Sequence, residues 1–445
     1  MKYIYGLSVS GQSIIKYFFT NKVFFIAWDD DEKIRKKVKK IYNDIKFVHP
    51  NDLDWSKVTE AFVCPGIGLK IKSLSKSKKF KTPLYRDLEL YSQITTNKNI
   101  IAVTGTNGKS TSIKLISDML KSNGLDYYIG GNFGPPLMDV YNNKNISNYH
   151  LVELSSFQLE AAPSFKSSIS ILLNISYDHQ ERYKSLIDYA NIKENIINSK
   201  EIKYRVISVD DVFCKKIHNK YKKLEHLIPF SINQKIAKGV SIIDDTIYDN
   251  YFDRRAYYLK EKNLSLQGQY NNQNILVTYI VSKILNLNFN NFLYALKNFV
   301  GLSHRSEHVF ENNKFLVINN SKATNLDSSI KSIKVYENIF LILGGRIKST
   351  DFSLFFKVKK RIKRCFIIGE STELIFSKVS NYFKSYKCFT INEAIDQIFY
   401  ELSNFNSKIT ILLAPACSSF DQFNNFEDRG NQFKNIIIKK INNNE

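Results

Sequence analysis

The chain has 445 residues, which is enough for two or three domains. Its hydrophobic content of 43% and aromatic content of 13% exclude a disordered protein. Its formal net charge of +22 would suit a nucleic-acid binder, but the lysines are spread along the whole chain, and small anionic substrates also suit a basic protein. The five cysteines are odd in number and have no C-x-x-C spacing, so neither a disulfide framework nor a zinc site is indicated.

No apolar run of the sequence is long enough to cross a bilayer, and the N-terminus has no charged segment followed by a clean apolar core. We therefore expect a cytoplasmic protein without membrane insertion. We also expect a monomer that binds small molecules and no nucleic acid.

The first residues predict short strands alternating with helices. A strand over Tyr3 to Tyr5 leads into a glycine turn at residues 6–11, and a second strand ends at Asp29. This is the outline of a dinucleotide-type fold, although Ser8 replaces the middle glycine of G-x-G-x-x-G. A third strand ends in a turn at Gly66. Each turn alone is better explained by plain chain reversal. Together the turns suggest a nucleotide-shaped ligand as readily as they suggest three separate chain reversals.

A phosphate-binding loop is predicted at residues 105–111. An apolar strand over residues 100–103 is followed by Gly-Thr-Asn-Gly-Lys-Ser-Thr and then by helical apolar spacing over 113–120. In such a loop Lys109 reaches the β- and γ-phosphates and the Ser110 hydroxyl can bind Mg²⁺. The loop is a shortened form of G-x-x-x-x-G-K-[ST], because Val103 stands where the longer pattern has glycine. The alternative is an ordinary glycine turn before a helix.

Polar residues follow the next predicted strands, where the carboxyl ends of a parallel sheet meet the ligand crevice. Glu153 is near the end of one strand, and Asp178 and His179 follow another. A helix over residues 186–198 then places Lys193 on its apolar stripe. A buried ammonium needs a reason, but a lysine extending from the margin of the stripe explains the pattern equally well.

The last part of the chain alternates strands and helices again. Polar loops follow the predicted strands at residues 319–325, 344–348 and 414–421. Three such loops at one sheet edge predict a binding face.

Several of these segments, taken in order, resemble the Mur ligases. The motifs that carry the resemblance are Gly-Thr-Asn-Gly-Lys-Ser-Thr at 105–111, Glu-Leu-Ser-Ser-Phe-Gln-Leu-Glu at 153–160, Asp178-His179, Gly301 to Arg305, Ser-Lys-Ala-Thr-Asn at 321–325, and Asp421 to Asn431. Three of them, at 153–160, 321–325 and 414–431, resemble the D-glutamate-adding members in particular.

The resemblance implies an α/β fold in three domains. These would be a Rossmann-like UDP-substrate-binding domain (1–95), a central P-loop ATP-binding domain with a mostly parallel sheet (96–300) and a Rossmann-like amino-acid-binding domain (301–445). It implies a cytoplasmic ligase of peptidoglycan synthesis, and so of cell-wall biogenesis, cell shape and cell division. ATP would convert the carboxylate of UDP-N-acetylmuramoyl-L-alanine to an acyl phosphate, which D-glutamate would attack through a tetrahedral intermediate.

Site residues also follow from the resemblance. Catalysis would rest on Lys109, His179, Lys193, Arg305 and Lys322. ATP would be bound by Gly105, Thr106, Asn107, Gly108, Lys109, Ser110, Thr111, Asn271, Asn274, Arg305, Asn320 and Lys322. The UDP substrate would be held by Ser8, Asp29, Gly66, Asn132, Ser155 and Gln158, and D-glutamate by Thr324, Lys348, Ser419 and Phe426. Two Mg²⁺ ions, with Mn²⁺ as an alternative, would be bound by Ser110, Glu153, His179 and Lys193, the lysine carbamylated by CO₂.

Two departures from the family pattern leave alternatives open. Asn320 stands where the family pattern has Asp. Arg346 stands in the Asp position of the Gly-Gly-Asp pattern, after Gly344 and Gly345. Arg346 could disturb Lys348 or add a contact to glutamate. The alternatives are a related ligase such as a folylpolyglutamate synthetase, or a nucleotide-binding member with impaired catalysis.

Overall fold

The computed structural model describes residues 1–143, 147–179, 182–199, 201–260, 263, 266, 268–348 and 351–443. The chain divides into two compact units. Residues 1–175, 187–258 and 274–295 form the first, and residues 176–186, 259–273 and 296–445 form the second. Within the described residues, no helix is long and apolar enough to cross a membrane.

The first sheet of the first unit is parallel and has the strand order β2-β1-β3-β4. Its strands are β1 (Lys2–Tyr5), β2 (Phe25–Trp28), β3 (Glu60–Val63) and β4 (Leu84–Tyr85). The helices near it in the chain are α1 (Val9–Thr20), α2 (Glu32–Ile41), α3 (Lys76–Lys79) and α4 (Asp87–Ile94). Gly11 lets α1 pack on β1, since a Cβ there would lie 2.0 Å from the carbonyl oxygen of Gly6.

The second sheet of the first unit has the order β13-β12-β11-β10-β9-β8-β5-β7-β6. Its strands are β5 (Ile100–Thr104), β6 (Tyr127–Gly131), β7 (Tyr149–Glu153), β8 (Ser167–Leu172), β9 (Ile202–Ser208), β10 (Leu227–Ser231), β11 (Val240–Ile243), β12 (Thr246–Asp249) and β13 (Arg255–Tyr258). The helices that lie wholly or mostly in this unit are α5 (Lys109–Ser122), α6 (Asp139–Asn142), α7 (Ser156–Leu159), α8 (Leu186–Asn198), α9 (Val212–Tyr221), α10 (Asn271–Ile284) and α11 (Phe289–Lys297). Pairing is parallel from β6 to β11 and antiparallel from β11 to β13.

Strand β5 is buried along its whole length between β8 and β7. A strand covered on both faces reads as a continuous apolar run, which is why Ile100 to Val103 was a clear signal in the sequence. The strand therefore delivers the glycine loop to the carboxyl edge of the sheet, as predicted.

The sheet of the second unit has the order β14-β15-β19-β16-β17-β18, and only its β14–β15 pair is antiparallel among the pairs described. Its strands are β14 (Glu307–Glu311), β15 (Phe315–Asn319), β16 (Ile339–Gly344), β17 (Ile362–Ile368), β18 (Ser385–Phe389) and β19 (Ile409–Leu413). Its helices are α12 (Leu326–Ile333), α13 (Thr372–Val379), α14 (Ile391–Leu402) and α15 (Phe426–Asn442).

Strand β16 shows how this sheet is packed. Leu341 and Leu343 belong to one hydrophobic core, and Phe340 and Ile342 belong to the core on the opposite face. Helix α15 covers the second face. Its N-cap is Asn425, whose side chain accepts a hydrogen bond from the Asp428 amide. The predicted α/β class with mostly parallel sheets is confirmed.

Candidate active site

The glycine loop between β5 and α5 has the backbone that a phosphate loop requires. Gly108 caps α5 with φ of 88°, a left-handed conformation that favours glycine. A Cβ at Gly108 would lie 2.7 Å from Oδ1 of Asn274, so the position also has no room for a side chain. The loop therefore brings backbone amides to the start of α5, where the helix dipole favours an anion.

Asn174 fastens this loop, and the sequence analysis did not assign it a role. Its Oδ1 accepts from the Asn107 amide at 2.9 Å, and its Nδ2 donates to the Asn107 carbonyl at 3.0 Å. Its own carbonyl accepts from the Thr106 amide at 2.9 Å. The signal was available, since Asn174 follows β8 at the carboxyl edge of the sheet.

Lys109 lies over the loop that precedes it. Its Nζ donates to the carbonyl oxygens of Gly105 and Thr106, both at 2.9 Å. The ammonium is thus held at the loop by neutral oxygens. These contacts place a cation where the phosphate groups of a nucleotide would bind.

Ser110 and Glu153 meet inside the first unit. Ser110 Oγ donates to Glu153 Oε2 at 2.5 Å, and Asn132 Nδ2 donates to Glu153 Oε1 at 2.7 Å. Glu153 is buried at the end of β7. Hydroxyl and carboxylate oxygens are the ligands that Mg²⁺ prefers, so the pair fits a magnesium ion. Asn132, which was expected at the UDP substrate, also contacts this carboxylate.

Lys193 is buried as the apolar stripe of α8 suggested, with 1% of the residue exposed. Its Nζ donates to the Gly105 carbonyl at 2.9 Å and to Thr104 Oγ1 at 3.2 Å. The same atom lies 4.9 Å from the ring centroid of Tyr189. The interpretation of a lysine extending to solvent from the helix margin is therefore wrong, and Lys193 lies against the glycine loop.

The two asparagines of α10 have different surroundings. Asn274 Oδ1 accepts from Ser112 Oγ at 2.9 Å, which joins α10 to the first turns of α5. Asn271 is buried in the second unit at the start of the helix, and its amide donates to the Gly268 carbonyl. Asn274 thus packs against the glycine loop at Gly108 and the first turns of α5.

In the first sheet, Asp29 fixes the turn after β1. Its Oδ2 accepts from the Leu7 amide at 2.5 Å. Ser8 caps α1 with its side chain exposed and without a cap hydrogen bond from that side chain. Gly66 is exposed, and a Cβ there would meet nothing within 4 Å. Ser8 and Gly66 thus lie at the carboxyl ends of neighbouring parallel strands, as the sequence predicted.

Ser155 and Gln158 form a reciprocal capping box around α7. Ser155 Oγ accepts from the Gln158 amide at 3.2 Å, and Gln158 Oε1 accepts from the Ser155 amide at 3.1 Å. Gln158 Nε2 then donates to Asp87 Oδ2 at 3.3 Å. Burial raises the pKa of the Asp87 carboxyl. The side chains expected at the substrate therefore also hold the shape of their own segment.

In the second unit, Asp178 joins several predicted site residues. Its Oδ1 lies 3.0 Å from Lys348 Nζ, and its Oδ2 accepts from Asn325 Nδ2 at 3.3 Å. Nε2 of the neighbouring His179 lies 3.7 Å from Oδ2, and His179 has a positive φ of 53°. Positive φ is uncommon outside glycine and often marks functional sites.

Lys322 lies above the ring of Phe426, with Nζ 3.8 Å from the ring centroid. This cation–π contact joins a residue expected at ATP to one expected at D-glutamate. The Lys322 amide donates to the His304 carbonyl, which ties it to the segment carrying Arg305. Arg305, whose amide donates to the Leu302 carbonyl, is half-buried, as are Thr324 and Asn320.

Arg346 does not occupy the position of Lys348. Its Nε lies 2.8 Å from Glu370 Oε1 on the surface, while its backbone pairs with Ser418. The neighbouring Ser419 is buried. Arg346 and Lys348 thus form ion pairs with different carboxylates in the contacts described.

Arg429 organises the loops of the second unit, and the sequence analysis assigned it no role. Its guanidinium is fully buried and donates to Ser321 Oγ at 2.9 Å, the Ser321 carbonyl at 2.8 Å and the Cys417 carbonyl at 3.1 Å. Burial lowers the pKa of Arg429 to about 10, so the group stays charged at neutral pH. It joins the loop of Lys322 to the loop of Ser419.

Comparison with known proteins agrees with this geometry. The family described as the Mur ligase middle domain matches residues 103–282. The UDP-N-acetylmuramoylalanine–D-glutamate ligase of Rickettsia bellii is 33% identical over 97% of this chain and 95% of its own length. The ligase of the same name from Rickettsia prowazekii is 34% identical over 97% and 96%.

Solved structures share the fold at lower identity. The UDP-N-acetylmuramate-alanine ligase of Thermotoga maritima has a TM-score of 0.60 at 16% identity, covering 100% of this chain and 99% of that one. The MurF ligase of the same organism, in complex with ADP, has a TM-score of 0.61 at 12% identity, covering 86% and 90%.

Proposed function

The chain belongs to the Mur ligase family, and we propose that it joins D-glutamate to UDP-N-acetylmuramoyl-L-alanine with hydrolysis of ATP to ADP and phosphate. The observation that carries the proposal is the similarity, along nearly the whole chain, to ligases that bear this name. The reaction is a cytoplasmic step of peptidoglycan synthesis, and we propose that the protein performs it as a monomer.

Each part of the chain takes one substrate in this proposal. Residues 1–95 bind the UDP end through Ser8, Asp29 and Gly66. Residues 96–300 bind ATP, and residues 301–445 bind D-glutamate. The muramoyl end is held by Asn132, Ser155 and Gln158. Asn132 contacts Glu153, and Ser155 and Gln158 form the capping box of α7, which follows Glu153 in the chain.

The chemistry begins with a poor acyl donor. A carboxylate resists attack by an amine, so transfer of the γ-phosphoryl group of ATP to it supplies a leaving group. The amine of D-glutamate then adds to the acyl carbon, and the tetrahedral intermediate collapses to the amide and inorganic phosphate. Catalysis of phosphoryl transfer rests mainly on positioning and on stabilising charge.

Charged residues supply that stabilisation. Lys109 and the loop amides of residues 105–111 hold the phosphate groups, supported by Asn274, and Asn271 and Asn320 hold the rest of the nucleotide. Arg305 and Lys322 stabilise charge on the transferred group. Removing one such preorganised contact typically costs about two to three orders of magnitude in rate.

Metal ions complete the proposal. Ser110 and Glu153 would hold one Mg²⁺ and His179 a second, and the ions would neutralise phosphate charge when bound. We propose that Lys193 is carbamylated, a step in which its neutral amine adds to CO₂ and releases a proton. The burial of Lys193 against Thr104 and Gly105 supports this, because an anionic carbamate beside the loop would suit a cation.

D-glutamate is held by Lys348, Thr324, Ser419 and Phe426 in this proposal. Its two carboxylates call for a cation, and Lys348 provides one. The cation–π contact between Lys322 and Phe426 keeps a residue that binds D-glutamate beside a residue that binds the phosphates of ATP, within the same unit.

The test is ADP release in the presence of UDP-N-acetylmuramoyl-L-alanine, Mg²⁺ and bicarbonate. D-Glutamate, L-glutamate, L-lysine and diaminopimelate are offered one at a time. Turnover with D-glutamate alone is expected. Turnover with another amino acid, or with none in protein that still binds ATP, would overturn the proposal.

A further inference from the structure

Arg86, between β4 and α4, has a fully buried side chain that binds the loop after β3. Its Nη1 donates to the carbonyl oxygens of Val63, Cys64 and Ile67 at 3.0, 2.7 and 3.0 Å. These carbonyls lie on both sides of Gly66. One guanidinium nitrogen therefore fixes both ends of the turn that carries Gly66.

A second guanidinium nitrogen contacts a different segment. Arg86 Nη2 lies 2.5 Å from Oε2 of Glu160, a side chain that is 13% exposed. Glu160 directly follows α7. The Arg86 amide also donates to the Ala161 carbonyl at 3.1 Å, and the next residue, Asp87, accepts from Gln158. Residues 86 and 87 thus hold the 155–161 segment at several points.

Arginine is suited to this position because its planar fork presents several N–H donors in fixed directions. Lysine has one nitrogen and could not contact the loop carbonyls and the carboxylate with the same geometry. Removing one partner of a buried ion pair leaves an uncompensated charge and is strongly destabilising. Arg86 therefore joins the two segments by several hydrogen bonds and an ion pair.

We propose that the Arg86–Glu160 pair sets the distance between the loop that holds uridine diphosphate and the segment that holds the muramoyl end of the same substrate. The proposal rests on the proposed function, because that function assigns Gly66 to the first end and Ser155 and Gln158 to the second. Arg86 and Glu160 are positioning residues: they fix the two halves of one extended site.

The Kd of a ligand that occupies only one half of the site should not depend on the Arg86–Glu160 pair. The Kd of a ligand that spans both halves should depend on it. This difference separates positioning from a general structural role. A general loss of structure would weaken the binding of both ligands together.

The experiment is calorimetry with UDP and with UDP-N-acetylmuramoyl-L-alanine, in the presence of a non-hydrolysable ATP analogue that fills the P-loop. Glu160→Gln keeps the shape and an acceptor while removing the charge, and Arg86→Lys keeps the charge without the fork. For Glu160→Gln the expected result is a Kd for the full substrate raised by about tenfold to a hundredfold, with the Kd for UDP changed by less than about twofold. Arg86→Lys also loses the contacts to the Gly66 turn, so it should raise the Kd for the full substrate at least as much and raise the Kd for UDP as well.

The matched control is Glu401→Gln, which weakens the Arg364–Glu401 pair of the second unit, where Nε and Oε2 are 2.9 Å apart. It should leave both Kd values unchanged. Equal weakening of UDP and of the full substrate, or no weakening of either, in folded Glu160→Gln protein would overturn the inference. If the unaltered protein bound neither ligand, the proposed function itself would fail. Should Glu160→Gln not fold, Glu160→Asp keeps the charge but shortens the reach to Arg86, and the same difference between the two Kd values is expected.

Discussion

Nζ of Lys348 lies 3.0 Å from Oδ1 of Asp178, in an ion pair whose side chains are only 17% and 10% exposed. Exposed ion pairs contribute little, but this carboxylate also accepts from Asn325 and is therefore fixed in place. The lysine that we assign to D-glutamate is thus oriented by a residue next to a proposed metal ligand, His179.

Replacing Asp178 with Asn should weaken the binding of D-glutamate. The amide keeps the shape of the carboxylate but not its charge, so Lys348 loses the group that orients its ammonium. We expect the KM for D-glutamate to rise by roughly threefold to tenfold, from initial rates at saturating ATP. Asp396→Asn is the control, since Asp396 of α14 pairs with Lys440 of α15. An unchanged or lower KM for D-glutamate would contradict the assigned role.

The sequence predicted local features of the fold well and non-local pairings poorly. The buried strand β5 and helix α8 followed from apolar periodicity, and α8 was placed at its observed bounds. The apolar run predicts a strand over Cys365 to Ile368, but β17 begins at Ile362. The prediction starts too late because Lys363 and Arg364 interrupt the apolar run. Arg364 lies in the strand all the same, because Glu401 and the ring of Phe405 receive its guanidinium.

In the candidate site, too, the sequence predicted residues in local motifs and missed residues whose partners are distant in the chain. Lys109, Ser110 and Glu153 were identified because each lies at a strand end or in a recognisable loop. Arg86 and Arg429 were not, because their partners are distant in the chain and only the fold brings them together. A buried arginine has no periodic signal that distinguishes it from a surface arginine.

Changing Glu153 to Gln should reduce turnover by roughly a hundredfold or more, because the amide would be a weaker ligand for Mg²⁺ beside Ser110. The measurement is ADP release as a function of Mg²⁺ concentration. We expect a higher Mg²⁺ requirement together with the lower kcat. Binding of ATP measured without Mg²⁺ serves as the control and should change little. An unaltered response to Mg²⁺ would remove Glu153 from the metal site.

Lys193→Arg tests carbamylation, since arginine keeps the positive charge but should not form the carbamate that we propose. With ¹³C-labelled bicarbonate, the unaltered protein should show a carbamate carbon signal by NMR, and the variant should lack it. Its kcat should fall by roughly a hundredfold or more. Lys220→Arg, at a lysine exposed on α9, should keep both signal and activity. A carbamate signal that persists in Lys193→Arg would place the modification elsewhere.

His150 should make the stability of the first unit fall in mild acid. Burial lowers the pKa of His150 to about 4, while the Tyr91 hydroxyl lies 2.6 Å from its Nδ1. In the unfolded chain His150 binds a proton near pH 6.5, whereas in the folded chain it does so only near pH 4. Its contribution to the stability of the folded state is therefore complete above pH 6.5. The advantage is lost as pH falls from about 6.5 to 4, and it amounts to roughly 2–3 kcal/mol in the free energy of unfolding.

The measurement is urea unfolding between pH 7.5 and 4.5. Other groups titrate in this range, so the informative quantity is the difference between the unaltered protein and His150→Asn. That difference should shrink as the pH falls. His308→Asn, at an exposed histidine, should follow the unaltered protein throughout. Parallel curves for the unaltered protein and His150→Asn would contradict the assignment.

Gly430→Ala should destabilise the second unit, although alanine is the better helix former. A Cβ at this position of α15 would lie 2.2 Å from Nδ1 of His304. The ring cannot move aside freely, because Nδ1 is within 2.9 Å of Asn319 Nδ2 in the buried interior. Overpacking of this kind costs about 1–3 kcal/mol, or more, against a helix-propensity gain of about 1 kcal/mol.

The displaced histidine also affects the site, because the His304 carbonyl accepts from the Lys322 amide. We therefore expect a lower Tm together with a lower kcat for Gly430→Ala. Gly66→Ala is the matched control for stability, since a Cβ there meets nothing within 4 Å and should not lower the Tm. If Gly430→Ala kept both the Tm and the kcat of the unaltered protein, His304 would have room to move. The contact between α15 and the Lys322 loop would then not be the constraint described above.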